Sequence, residues 1–376
     1  MTKRWTLALA LAAVAVAATA SAGNNPNTLT LAVYGDSPYL DPAVASKRAE
    51  FDATPAFIQT INADPSVQDV IHVGDIHSGS EACTEQYDRA IFGMWQAFEQ
   101  PLIYTPGDNE WSDCTKTKEL NGKDVFGNGP DGNGDPLQNL ALVRSIFFAN
   151  PGMTLGQHPM QVETQGAPYV ENVMWEQSKT LFVTVNLPGG SNNDADTWNG
   201  TAKNDAAELA ERTARTAADV SWLEAAFAKA EADNAHSVVI AGQADMWDLG
   251  DSLGAAHQSN YEPIIQAMAD GATSFGKPVL FLNGDSHVYR SDNPLQQGST
   301  CYTESGACTD GDAWSHHPFY DVPNFHRIVV HGSTFPLEWL KLKIDPRAAW
   351  ENRPTATSFG PFSWQREIQS QLTPTP

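Results

Sequence analysis

Four aspartates in this chain each stand directly after an apolar run and a glycine. They are Asp36 in "TLTLAVYGD", Asp75 in "DVIHVGD", Asp108 in "PLIYTPGD" and Asp285 in "PVLFLNGDSH". A fifth run, "SVVIAGQAD", leads into Gln243 and Asp245, and His287 follows Asp285 by two residues. Glycine lets the chain turn at a strand end and leaves room beside the carboxylate. Carboxylates crowded together repel one another and are driven to protonate. A divalent cation removes that repulsion, so the placement predicts a metal site with one or two ions. The competing reading of each aspartate by itself is a helix N-cap.

Convergence of these residues needs a common frame. The five runs are short, rich in Val, Ile and Leu and poor in charge, as strands buried on both faces are. Helical patterns accompany them: "ATPAFIQTINA", "CTEQYDRAIFGMWQAFE", "YEPIIQAMADGA" and a long Ala- and Glu-rich region with Trp222, Leu223 and Phe227 at core spacing. Alternating strand and helix predicts an α/β sheet whose carboxyl strand ends share one rim. "PYVENVMWEQ", "TLFVTVNLPG", "FHRIVVHGS" and "LEWLKLKIDP" read as further strands, expected as antiparallel additions, with a second sheet as one outcome. In the Gly/Asn/Asp-rich loop, Asp131, Asn133 and Asp135 start like a calcium loop, but Pro136 stands where that motif has Gly.

The order and surroundings of "GDSP", "GDIH", "GDNE", "AGQAD" and "GDSH" resemble the calcineurin-like metallophosphoesterase family over roughly residues 30 to 290. The resemblance implies a four-layer α/β/β/α sandwich of two mixed sheets flanked by helices. It implies a phosphoester hydrolase with a metal-bound hydroxide as nucleophile. By position it assigns metal ligation to Asp36, Asp75 (the bridging carboxylate), Asp108, Gln243, Asp285 and His287. Asn109 takes the place of the histidine that assists the leaving group, and an amide cannot act as an acid. Pro38 stands where the first motif has a ligand histidine. His77, two residues after Asp75, is the candidate to replace the missing acid or to act as a ligand. Exchange of imidazoles for oxygens favours manganese, magnesium or calcium over zinc or iron. Two rivals stand beside this reading: a catalytically inactive binding protein of the same fold, and an acidic glycan-binding module using Trp111, Trp247 and Tyr289.

The start, "MTKRWTLALALAAVAVAATASAG", has the basic, apolar and A-x-A regions of a signal peptide over residues 1–22. A domain over 23–345 and an irregular, Pro-containing tail over 346–376 are expected to follow. The protein is therefore read as exported, to a periplasm or beyond, and as a monomer without a membrane span. The net charge of −23 excludes a nucleic-acid-binding surface; the expected partner is a small or polymeric phosphoester. None of the four cysteines lies in a C-x-x-C pair, and in an oxidising compartment two disulfides are the default. Cys301 and Cys308 flank one short loop and are expected to pair, leaving Cys83 and Cys114. His72 sits within a strand and is expected in the core; Glu110 is read as hydrogen-bonded within its turn or as supporting the ligands, and the rim is one of the placements open to His331.

Overall fold

Alternate side chains of β1 (Leu29–Tyr34) point to opposite faces of a sheet, and both faces are buried. Leu29, Leu31 and Val33 enter one apolar cluster, Ala32 and Tyr34 another. The same division holds in β2 (Asp69–His72) and β3 (Leu102–Tyr104), where Ile71 and Ile103 face one way and Val70, Leu102 and Tyr104 the other. The three pair in parallel, with Val33 opposite Ile71 and Ile71 opposite Ile103. On the other side of β1 run β13 (Glu338–Ile344), β15 (Phe362–Ile368) and β14 (Ser358–Phe359), each antiparallel to its neighbour, completing a six-stranded sheet.

The second sheet has nine strands. Its centre is parallel: β6 (Thr180–Thr184), β7 (Ser237–Ala241), β8 (Val279–Asn283) and β12 (Phe325–Val329). Antiparallel strands flank it, β5 (Val173–Gln177) and β4 (Glu163–Thr164) on one side, β9 (Arg290–Asp292), β10 (Cys301–Thr303) and β11 (Gly306–Cys308) on the other. Phe182, Val239, Leu280 and Ile328 meet Leu31, Val33 and Ile71 of the first sheet in one shared core.

Helices close both outer faces. Helices α1 (Ala45–Asn62), α2 (Glu85–Trp95) and α3 (Pro136–Phe147) supply Phe57, Ile61, Ile91, Trp95, Val143 and Phe147 to the cluster over the first sheet. The long helix Ala206–Ala232 and the helix Glu262–Phe275 cover the second with Leu223, Phe227, Ile265 and Met268. The result is the four-layer α/β/β/α arrangement of two mixed sheets. Helix starts follow local chemistry: Thr84 Oγ1 accepts the Tyr87 N–H at 3.2 Å, and Asp135 Oδ1 accepts that of Gln138 at 3.0 Å with Pro136 beginning α3.

The computed structural model describes residues 28–40, 45–79, 81–115, 134–193, 206–248, 255–308, 319–348 and 354–372. The expected signal peptide at 1–22, Asp131 and Asn133 lie outside them. No helix among the described residues is long and apolar enough to cross a membrane. Both cysteine pairs are disulfides: Cys83–Cys114 ties the loop after β2 to the loop after β3, and Cys301–Cys308 closes the β10–β11 hairpin.

Three expectations need correction. The five runs do not form one sheet; β1, β2 and β3 lie in the first, β7 and β8 in the second. The run "FHRIVVHGS" is not purely antiparallel, because β12 joins β8 in parallel and turns an antiparallel edge only to β9. The tail from residue 346 is not irregular throughout. Phe362 and Trp364 alternate with Ser363 and Gln365, and the apolar pair anchors β15 in the inter-sheet core.

Candidate metal centre

The turns after β1, β2 and β3 are laced to one another by backbone. Asp36 N–H donates to Gly74 O (2.9 Å) and Ser37 N–H to Asp75 O (3.0 Å). His72, buried as expected, braces both turns: its Nε2 meets Ser37 O at 2.7 Å and its Nδ1 accepts the Gly74 N–H at 3.2 Å. That pattern requires a neutral ring with the proton on Nε2, and burial lowers the His72 pKa to about 3. Asp36, Asp75 and Asp285 all have positive φ, at 50°, 60° and 79°, and His287 follows at 64°. Aspartate tolerates this left-handed region better than most residues, and such strain gathers at functional sites. A side chain at Gly107 would sit 2.0 Å from Asp75 Oδ1, so only glycine lets the Asp108 turn approach.

The second sheet brings Gln243 from the end of β7 and Asp285 and His287 from the end of β8. Asp285 N–H donates to Asp36 Oδ1 at 2.8 Å, joining the two sheets at the site. Gln243 Nε2 lies 3.1 Å from Asp75 Oδ2, 3.0 Å from Asp108 Oδ1 and 3.1 Å from Asp285 Oδ1. All four predicted aspartates therefore meet in one place. Asp36, Asp75 and His287 offer ligand atoms within 4.8 Å of one another, and so do Asp75, Asp108 and Asp285.

Electrostatics favours a cation here. Burial holds Asp36, Asp75 and Asp285 well above the usual carboxylate range, and repulsion, from Asp108 above all, adds to it. Among the described residues no lysine or arginine forms an ion pair with any of the four; the pairing present is His287 Nε2 at 3.5 Å from Asp36 Oδ1. Asp36 Oδ2 is buried without a hydrogen-bond partner. His287 is held below its ordinary pKa by desolvation and then by Lys47, which keeps a ring lone pair free for ligation. The set Asp36, Asp75 and His287 thus fits a divalent ion.

Other expected residues stand elsewhere. Gln243 is at the centre but not as a ligand: its oxygen accepts the Gly189 N–H and its amide protons face the carboxylates. Asn109 donates through Nδ2 to Asp75 Oδ2 (2.8 Å) and through its backbone to Asp75 Oδ1 (3.3 Å), holding that carboxylate in place. His77 joins neither ligand set. Its Nε2 meets Asp88 Oδ1 at 2.7 Å, and although burial opposes charge, that bond raises its pKa. Glu110 Oε1 accepts from Ile76 N–H (3.1 Å) and Tyr104 Oη (2.8 Å). His331 lies between Glu304 and Glu338, at 3.2 and 3.5 Å. Trp111, Trp247 and Tyr289 are buried and present no open aromatic surface.

Sequence reasoning passed over Tyr39, three residues after Asp36. Its hydroxyl lies 3.4 Å from Asp75 Oδ2 and 3.3 Å from His287 Nε2, and Lys47 Nζ stands 4.8 Å from its ring centre. The signal was the proximity of Tyr39 to the first motif. Gly189, at the head of a left-handed run through Asn193, carried no sequence signal.

Among solved structures, the fold is similar to a purple acid phosphatase isolated from yellow lupin (Lupinus luteus) seeds, with a TM-score of 0.43 and 9% identity over 93% of this chain and 53% of that one. It is also similar to a dimetal phosphatase from Danio rerio, with a TM-score of 0.41 and 10% identity over 92% of this chain and 99% of that one. The chain spans about half the length of the lupin structure. No family model and no curated protein matches it.

Proposed function

We propose that this chain is an exported, metal-dependent phosphoester hydrolase. One observation carries the reading: four carboxylates from two sheets converge without a lysine or arginine among the described residues to neutralise them, and an oxygen of buried Asp36 stands unpartnered. The motif order, from "GDSP" to "GDSH", supports phosphoester chemistry in particular. A cation held by Asp36, Asp75 and His287 would activate water and stabilise charge on a phosphoryl oxygen. Manganese, magnesium or calcium suits the oxygen-rich set better than zinc or iron. Lys47, beside Tyr39, is the group to attract an anionic substrate to an acidic site. Tyr39 stays protonated, since burial and then Asp75 raise its pKa, so it holds a hydroxyl proton 3.4 Å from Asp75 Oδ2, where Asn109 has only amide protons. The disulfides fit the exported compartment that the first residues suggest.

A non-catalytic reading has one observation in its favour. Asn109, at the motif position of the leaving-group acid, is committed to Asp75, and His77, the candidate to replace it, is committed to Asp88. Assay of the purified chain on p-nitrophenyl phosphate and its diester, with elemental analysis, separates the two. Turnover abolished by chelation and restored by manganese, magnesium or calcium is expected. A stoichiometric cation with no turnover of either ester decides for the binding protein.

A further inference from the structure

The two ligand sets of the centre are not equivalent. Around Asp36, Asp75 and His287 there is a buried carboxylate oxygen without a hydrogen-bond partner and an imidazole nitrogen 3.5 Å from Asp36 Oδ1. Around Asp75, Asp108 and Asp285 there is already a polar nitrogen: Gln243 Nε2 stands 3.0 to 3.1 Å from one oxygen of each. An amide nitrogen carries two protons and no lone pair that a metal can use. Those protons point where a cation sharing these oxygens would carry its charge.

Rotation of the amide would cure the conflict by turning the oxygen inward. The Gly189 N–H prevents it. That group donates to Gln243 Oε1 from the opposite side, and a rotated amide would set N–H against N–H. Gly189 packs closely against the cluster: a Cβ there would lie 2.5 Å from Asp285 Oδ1 and 2.9 Å from Asp108 Oδ2. Two of the three remaining oxygens are engaged as well. Asp285 Oδ2 accepts the Asp245 N–H at 2.9 Å, and Asp75 Oδ1 that of Asn109 at 3.3 Å.

We infer that the Gln243 carboxamide fills the second cation position, so that the centre takes one divalent ion, at Asp36, Asp75 and His287, where its geometry otherwise offers places for two. This rests on the metal-centre reading above. It makes Gln243 a positioning residue: a neutral donor that holds three carboxylates in place of a second metal.

The test titrates the metal-free full-length chain with Mn²⁺ alone, by calorimetry and electron paramagnetic resonance. Wild type is expected to bind one equivalent with the spectrum of an isolated ion, and Asp36→Asn to lose it. Gln243→Glu replaces the protons with a lone-pair donor of the same shape. It is expected to bind a second equivalent and to give a spin-coupled pair. Gln243→Ala, which opens the position without adding a ligand, is expected to gain the second equivalent at lower affinity, and it serves if the glutamate variant fails to fold. Two equivalents in wild type, or one in every Gln243 variant that folds, overturns the inference while leaving the metal centre standing. No binding by wild type or any variant overturns the metal centre itself.

Discussion

Two buried acidic clusters lie side by side in this molecule, and they are neutralised in opposite ways. Asp245 and Asp292 surround Arg327, itself fully buried. Arg327 Nε and Nη2 donate to the two oxygens of Asp292, both at 2.8 Å, while Nη1 binds Asp245 Oδ1. Burial works against the Asp292 charge, yet Arg327 and then Arg290 bring its pKa below the ordinary carboxylate value. Asp36 and Asp75 are as deeply set, Asp285 is half-buried beside them, all three lack such a partner, and their pKa values go up. Burial alone therefore does not decide the state of a carboxylate; a covalently supplied cation does. Where the chain supplies the cation the cluster is structural, and where it withholds one the cluster is open to a metal. The clusters also touch: Asp245 N–H holds Asp285 Oδ2, and Ser286 Oγ donates to Asp245 Oδ2 at 2.8 Å. The arginine cluster thus anchors one wall of the metal cluster.

Removal of the internal cation breaks the comparison most severely. Arg327→Met leaves Asp245 buried without a cation and Asp292 with Arg290 alone, with an expected loss of about 3–5 kcal/mol in urea unfolding at neutral pH. Adding Asp292→Asn should restore part of that loss; no recovery would mean that Arg327 acts by packing on Trp247, 5.2 Å away, rather than by charge.

The metal cluster should respond in the other direction. Asp75→Asn removes a ligand but also a repelling charge, and Asn accepts the positive φ at this position. Phosphoesterase activity is expected to fall at least about a hundredfold, roughly 2.7 kcal/mol in the barrier. The metal-free variant should melt no lower than the metal-free wild type. A markedly lower melting temperature would show that Asp75 is chiefly a structural group.

A smaller effect sharpens the contrast at a single buried carboxylate outside both ligand sets. Glu50 is buried, with Oε2 accepting the Tyr39 N–H at 3.3 Å and Oε1 without a partner. Burial raises its pKa from 4.5 to about 8. Its folded value is the higher one, so its stabilising contribution is complete below pH 4.5 and is lost as pH rises to about 8. Glu50→Gln should raise stability at pH 8 by on the order of 1–2 kcal/mol and leave it unchanged at pH 4. Melting curves at the two pH values check this. Asp292, with its lowered pKa, must show the opposite trend, its contribution present at neutral pH and lost on acidification.

Much of the frame was legible. Asp36, Asp75, Asp108 and Asp285 could be placed at strand ends because glycine after an apolar run is a local signal, written within a few residues. The layer order followed from the family resemblance, and the Cys301–Cys308 disulfide from its short loop. The β15 strand was also written locally, in the alternation of Phe362 and Trp364 with polar residues, and was obscured by the prolines around it.

What the sequence could not fix was direction. Gln243 stands where a ligand would be expected, but whether its oxygen or its nitrogen faces the carboxylates depends on Gly189, brought there from another strand end. His77 is two residues from Asp75 and is nevertheless captured by Asp88 on α2. Arg327 and Asp245, which form the neutralised cluster, are 82 residues apart in the chain. Sequence position determined which residues arrive at the rim, because strand ends are set by local turns and burial. Tertiary structure decided which atoms they present, because a hydrogen bond has a donor and an acceptor, and here the opposite partner came from a different part of the fold.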